Sequence, residues 1–359
     1  MPPQLELDRR TLRLIGLAFV LLAALTVHRL FLVDAPEPID VLVLQGETMG
    51  TRYEVRIAGD RLDEDLRKRV AAETALRLER VDLWMSNWNP TSEISRFNAH
   101  PANNPFPVSR ATADLVAFAL RLNERTGGAF DVTVGPLVAR WGFGHGARID
   151  DPPSSGEIET LLRHTGPGRI RVESGPDGPS LVKTDPETRV DLSAIAKGFG
   201  VDQVAEGIAE LGREDFLVEI GGEVRTAGER PGGGPWRVAV EKPIDDGRAV
   251  QSIVELGDRA MATSGDYRIF YEEEGRRVSH TIDPRTGRPV EDGPASVTVL
   301  APTAMAADAW ATALMVLGED EGLALADREG LAALLLLRGE DGGFVERRSA
   351  AWPRETPGP

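Results

Sequence analysis

In the stretch MAADAWATALMVLG, Asp308 and Thr312 stand four residues apart, a spacing that puts a carboxylate and a hydroxyl on one helix face. Their neighbours are apolar, so the carboxylate needs a partner once that helix is buried. Two chemistries fit. In one, Thr312 bonds its own helix and Asp308 caps a neighbour or meets an arginine. In the other, both oxygens serve a hard cation of the Mg²⁺ type, which keeps some waters and gathers substrate phosphates. Spacing alone leaves both open.

Three further segments hold more special residues than folding requires. In VDLSAIAKGFGVD (190–202), Asp191 ends a strand, Ser193 is placed to cap a helix, and Lys197 lies one turn in, where it meets a phosphate or a carboxylate. An ordinary capped helix with a surface lysine satisfies the same pattern. SHTIDPRTGRPV (279–290) puts His280 and Ile282 on one strand face ahead of Asp283, Pro284 and a tight turn ending at Gly287. In TGGAFDVTVGPLVARWGFG (126–144), paired glycines admit a close backbone approach, and Phe130 and Trp141 either stack on a planar ring or fill a core.

The elements that must position these groups are set by periodicity. VLVLQ and YEVRI flank TMGT (48–51) as strand, turn and strand. A charged helix is expected over 63–84 with Leu66, Val70, Ala71, Ala75 and Leu78 inward. Ser109 caps a second helix that carries Leu115, Phe118, Ala119 and Leu122 and stops at Gly127 and Gly128. A third spans 193–211, and two more lie near 303–317 and 319–328, ahead of the apolar strand 331–337. FLVEI, RVAVE, SIVEL, RIFY, VSHTI and SVTVL read as short strands at hairpin spacing. Helices grouped around antiparallel strands make an α+β fold, and no glycine fingerprint of the dinucleotide-binding kind is present.

With 359 residues, 41% apolar and 27% charged, the chain is long and apolar enough to fold around a core. A net charge of −16 excludes a protein that coats nucleic-acid phosphates with basic side chains. The amino terminus differs from the rest. Arg9, Arg10 and Arg13 precede an uncharged run over 14–27, shorter than the roughly twenty residues of a full span unless His28 and Arg29 snorkel. Residues 1–34 therefore form a signal or an anchor, with an uncleaved anchor near 11–33 as the expectation and the remainder of the chain on the outer side. With no cysteine, there is neither a disulfide nor a lipidated amino-terminal cysteine.

Taken in order, GETMGTRYEV, MSNWNPTSEISRFN, TGGAFDVTVGPL with WGFG, VDLSAIAKGFGVD, EIGGEVRTAG, ATSGDYRIFY, HTIDPRTGRPV and AADAWATALMVLG resemble the ApbE family of FAD:protein FMN transferases over roughly residues 45–320. The resemblance implies an ApbE/T-fold-like architecture: antiparallel sheets with packed helices in two closely associated subdomains over 45–350, after a linker at 35–44 and before a tail at 351–359. It further implies Mg²⁺ held by the main-chain oxygen of Ala194 and the side chains of Asp308 and Thr312. FAD would lie against Met49, Trp88, Ala129, Phe130, Asp131, Asp191, Lys197 and Ile282. Trp88 departs from the family, which commonly has tyrosine there.

By that resemblance the chain splits FAD and attaches FMN to a threonine of an exported acceptor, releasing AMP, with His280 and Asp283 as candidate bases. Acceptors would be exported subunits of electron-transfer complexes, such as sodium-pumping quinone reductases or Rnf-type complexes. An anchor in the cytoplasmic membrane with a periplasmic catalytic domain fits such partners. The same site would also serve an FAD pyrophosphatase with water as nucleophile. A flavin-binding protein without catalysis would have no need of Asp308 and Thr312.

Overall fold

A computed structural model of the chain describes residues 41–144, 151–244, 247–267, 270–273, 276–339 and 342–353. The expected anchor at 1–34 lies outside the described residues. Among the described residues, no helix is long and apolar enough to cross a membrane.

Eight strands make one antiparallel sheet whose spatial order is the chain order: β1 (Leu42–Thr48), β2 (Thr51–Ile57), β3 (Phe216–Ile220), β4 (Glu223–Ala227), β5 (Ala260–Gly265), β6 (Ser296–Ala301), β7 (Ala332–Arg338) and β8 (Phe344–Arg348). The TMGT turn joins β1 to β2 through Met49 at φ 48° and Gly50 at φ 71°, the double left-handed geometry that suits a two-residue hairpin. Strand β7 is apolar without alternation up to Leu337, and β6 is buried at every position, Ser296 and Thr298 included, because both faces are covered. Val297, Val299 and Leu335 enter one core, while Leu300, Leu334 and Leu336 enter another with Trp352 and the strands Arg237–Glu241 and Val250–Glu255.

Four longer helices accompany the sheet: α1 (Glu64–Met85), α2 (Arg110–Arg125), α3 (Ala196–Glu210) and α4 (Ala304–Glu329). Helix α1 begins at Asp63, whose carboxylate accepts from the Leu66 amide at 2.8 Å. Its buried stripe runs Leu66, Val70, Thr74, Leu78, Val81. Thr74 therefore takes the place expected of Ala75, which is exposed. Ser109 caps α2 as expected. The two helices predicted near 303–317 and 319–328 are one element interrupted at Gly318, whose φ of 78° and ψ of −166° no helix adopts.

Several expectations need correction. From Val41 on, the chain is one compact unit rather than two subdomains. Strand β1 starts at Leu42, so the domain reaches into the expected linker at 35–44. Trp352 is buried, so the tail at 351–359 begins inside the fold. Ser193 does not cap α3; its hydroxyl bonds Asp191, and a turn over 193–195 precedes the helix. VSHTI is not one strand: Arg276–Ser279 and Ile282–Asp283 are separated at His280 and Thr281.

Candidate active site

Helices α3 and α4 cross with no side chain between them. A Cβ on Gly198 would stand 2.2 Å from the Ala304 carbonyl oxygen and 2.8 Å from Asp308 Cβ, so only glycine permits this approach. The same closeness lets the Gly198 amide donate to Asp308 Oδ2 at 3.0 Å. Asp202, one turn further along α3, fixes the crossing. Its two oxygens accept from the Ala304 and Met305 amides at 2.9 Å each, satisfying open donors at the start of α4. Arg225 of β4 completes that carboxylate's shell at 2.9 Å.

Around the crossing lie three charged groups. Asp308 is buried, and the Lys197 ammonium pairs with Glu223, also buried, at the start of β4. Burial pushes both carboxyls above their ordinary range. For Glu223 burial and the Asp308 charge together outweigh the pull of Lys197 and carry it to about 7. Two carboxylates face one ammonium, and Glu223 Oε2 is buried with no hydrogen-bond partner. The Thr312 hydroxyl pairs across to Ser264 of β5 at 3.1 Å. No hydrogen bond to the Ala194 carbonyl is found among the described residues. A carboxylate and a hydroxyl one turn apart on α4, near a second buried carboxylate, are oxygens of the kind a hard cation takes. Met49 reaches the same helix, since its Cε would lie 2.8 Å from a Cβ on Gly200.

A second cluster forms where the SHTIDPRTG turn meets the glycine-rich segment. Asp283 accepts from the Arg285 amide at 2.8 Å and from its guanidinium at 3.0 Å, and Arg285 reaches Glu321 of α4 at 3.4 Å. The Asp283 hydrogen bond is the main cause holding the Arg285 guanidinium above its ordinary value. A Cβ on Gly128 would touch Arg285 at 3.6 Å, so the TGGAF turn and this turn are neighbours. Trp141 donates to the Gly287 carbonyl at 2.8 Å and is buried with Leu137, Ile158 and Ile282. His280 is half-buried, edge-on to Phe143 at 6.3 Å between ring centres.

Between the two clusters runs a backbone link. The Asp191 amide donates to the Val132 carbonyl at 2.7 Å, and Asp191 Oδ1 accepts from the Ser193 amide at 2.9 Å. Asp131, raised by burial, accepts from the Thr133 amide and hydroxyl at 2.7 and 2.6 Å. Ala129 and Phe130 are buried, and the Phe130 ring belongs to the core, as does Trp141 to its own cluster, so neither ring is an open platform. Trp88 stands apart on the surface, 63% exposed beyond α1. Glu223 and Asp202 were not among the residues expected from sequence to serve the site, although both lie in segments that carry the family resemblance. The signal for Asp202 was the one that marked Asp308, a carboxylate inside an apolar helical stripe.

The chain is thus an α+β protein that gathers buried carboxylates, a lysine and a hydroxyl at one helix crossing. A family model described as the ApbE family matches residues 49–335, and the chain belongs to that family. It is 45% identical over 323 residues to an FAD:protein FMN transferase of Vibrio cholerae, covering 90% of this chain and 95% of the relative. With the FAD:protein FMN transferase of Haemophilus influenzae the identity is 43%, over 88% and 92%. The solved flavin transferase ApbE from Vibrio cholerae superposes with a TM-score of 0.79 over 88% of this chain and 99% of that one, at 45% identity. The apo form of the Pseudomonas stutzeri flavinyl transferase ApbE gives 0.76 at 37% identity, over 87% and 96%.

Proposed function

We infer that this chain is an FAD:protein FMN transferase that uses Mg²⁺ and joins FMN to a threonine hydroxyl of an exported protein. The observation that carries this reading is the helix crossing, where Asp308 and Thr312 lie four residues apart on α4 and the Gly198 amide and Lys197 of α3 stand beside Asp308; the Ala194 carbonyl would complete the cation's donors. When bound, the cation would neutralise charge on the two phosphates of FAD. Lys197 adds a further positive group for a phosphate oxygen. The threonine oxygen attacks the FMN phosphorus, its bond to the bridging oxygen breaks, and AMP leaves with that oxygen.

Of the two candidate bases, the geometry favours His280. Both oxygens of the Asp283 carboxylate already accept from the Arg285 guanidinium or amide. His280 sits at a strand break, half-buried and edge-on to Phe143, and its imidazole is the usual chemistry of a general base. The body beyond Asp40 lies outside the cytoplasmic membrane, held by residues near 11–33, where it meets exported acceptors. A reporter active only after export, fused after Pro359, should be active; an intact, abundant and inactive fusion would contradict this.

The activity is tested by following FAD, FMN and AMP chromatographically, with Mg²⁺ and with or without a threonine-bearing exported acceptor. FAD should turn over slowly without acceptor and release AMP quickly with it, while free FMN stays low. Equally fast release of free FMN in both cases would mark a pyrophosphatase, and unchanged FAD throughout would mark a binding protein.

A further inference from the structure

Glu223 is more deeply buried than its one ion pair accounts for. It opens β4 directly after Gly221 and Gly222, whose φ values of 62° and 108° turn the chain back so that its carboxylate lies beneath the surface. One oxygen pairs with Lys197, and the other is buried and unpartnered. An unpaired buried carboxylate oxygen is costly, and in a native fold it marks an absent ion, water or ligand. The nearby Asp202 and Arg225 balance each other. Among the described residues Glu223 and Asp308 both feel the Lys197 ammonium, so with both carboxyls ionised one negative charge is in excess.

We propose that Glu223 is a positioning residue for the cation: it anchors the Lys197 ammonium beside Asp308 and supplies the second buried charge that draws a divalent ion to the helix crossing. This rests on the Mg²⁺ reading above. Lys197 and Glu223 then act on cation affinity with opposite signs. Removing the carboxylate's charge leaves Lys197 to repel the ion. Removing the ammonium leaves two carboxylates to attract it. Removing both restores the original excess of one negative charge. A pair that merely ties α3 to β4 would show no such alternation.

The test is Mn²⁺ binding to the full-length protein without FAD, read from the electron paramagnetic resonance signal of free Mn²⁺, with folding checked by circular dichroism. Glu223→Gln keeps size and an acceptor for Lys197, and should weaken binding by about tenfold or more, the usual effect of losing a group that supports a ligand. Lys197→Met should tighten it. The double variant should return to within about twofold of the unaltered protein. Equal affinities in folded variants, or weaker binding by Lys197→Met, would overturn the proposal. If Glu223→Gln does not fold, the Lys197→Met result alone decides. If the unaltered protein binds Mn²⁺ no better than Asp308→Ala does, the Mg²⁺ reading itself fails and this inference with it.

Discussion

The helix crossing and the SHTIDPRTG turn each set two carboxylates against one cation, but at different depths in the fold. At the crossing Asp308 and Glu223 are buried, outnumber their one ammonium, and rest on a glycine contact that leaves no slack. At the turn Asp283 and Glu321 likewise outnumber their one cation, Arg285, but Arg285 and Glu321 stand in solvent. Excess charge is costly where it is buried and is screened by water at the surface, so the same count of groups draws a counter-ion more strongly at the crossing than at the turn. On the function proposed above, the phosphorus chemistry would fall at the crossing and the candidate bases at the turn.

Removing a donor at the crossing should have the largest effect. Asp308→Ala is expected to remain folded and lose on the order of a thousandfold in turnover, since a cation ligand and its electrostatic stabilisation go together. Normal Mg²⁺-dependent turnover by the purified variant would make the crossing structural. Next comes the scaffold beneath it. Asp202→Ala strands two helix-start amides and Arg225, and should destabilise the protein by about 3 kcal/mol, seen as a lower denaturant midpoint at unchanged slope.

At the turn, His280→Ala should slow transfer by about a hundredfold, as loss of a base does, with Mn²⁺ affinity unchanged. Asp283→Asn should cost less than about tenfold, because that carboxylate is already occupied by Arg285. Reversed magnitudes in a steady-state comparison would move the base to Asp283.

The smallest effect is a dependence on pH. Glu223 is raised to about 7 without a cation, above an unfolded value near 4.5, so the folded state holds more protons between those limits. Its contribution to stability is therefore full below about 4.5 and is lost as pH rises through 7. On the proposed Mg²⁺ reading, a cation would replace that proton. Added Mg²⁺ should accordingly raise the melting temperature little at about pH 5 and more at about pH 8, by calorimetry. An equal rise at both would mean that the excess charge is not where the ion binds.

Much of the frame was legible. Capping by Ser109, the TMGT hairpin and the break at Gly318 follow from local residue chemistry, which tertiary contacts left intact. The pair Asp308 and Thr312 was legible because charge in an apolar helix demands a reason. Glu223 was not, since in a short strand after two glycines a glutamate reads as a surface residue until the sheet places it under α3. Ser193 looked like a helix cap but bonds Asp191 instead, as Asx turns and caps share the same residues. The roles of Phe130 and Trp141 depended on which way their rings face, which spacing does not encode.

The most direct test of the transferase mechanism is the mass of a threonine-bearing exported acceptor after incubation with this protein, FAD and Mg²⁺, with its peptides sequenced by tandem mass spectrometry. FMN should appear in phosphoester linkage on threonine, with one AMP released per FMN attached, and neither should form with Asp308→Ala. An unmodified acceptor beside stoichiometric free FMN and AMP would contradict the mechanism, and modification undiminished in Asp308→Ala would remove the helix crossing from the chemistry.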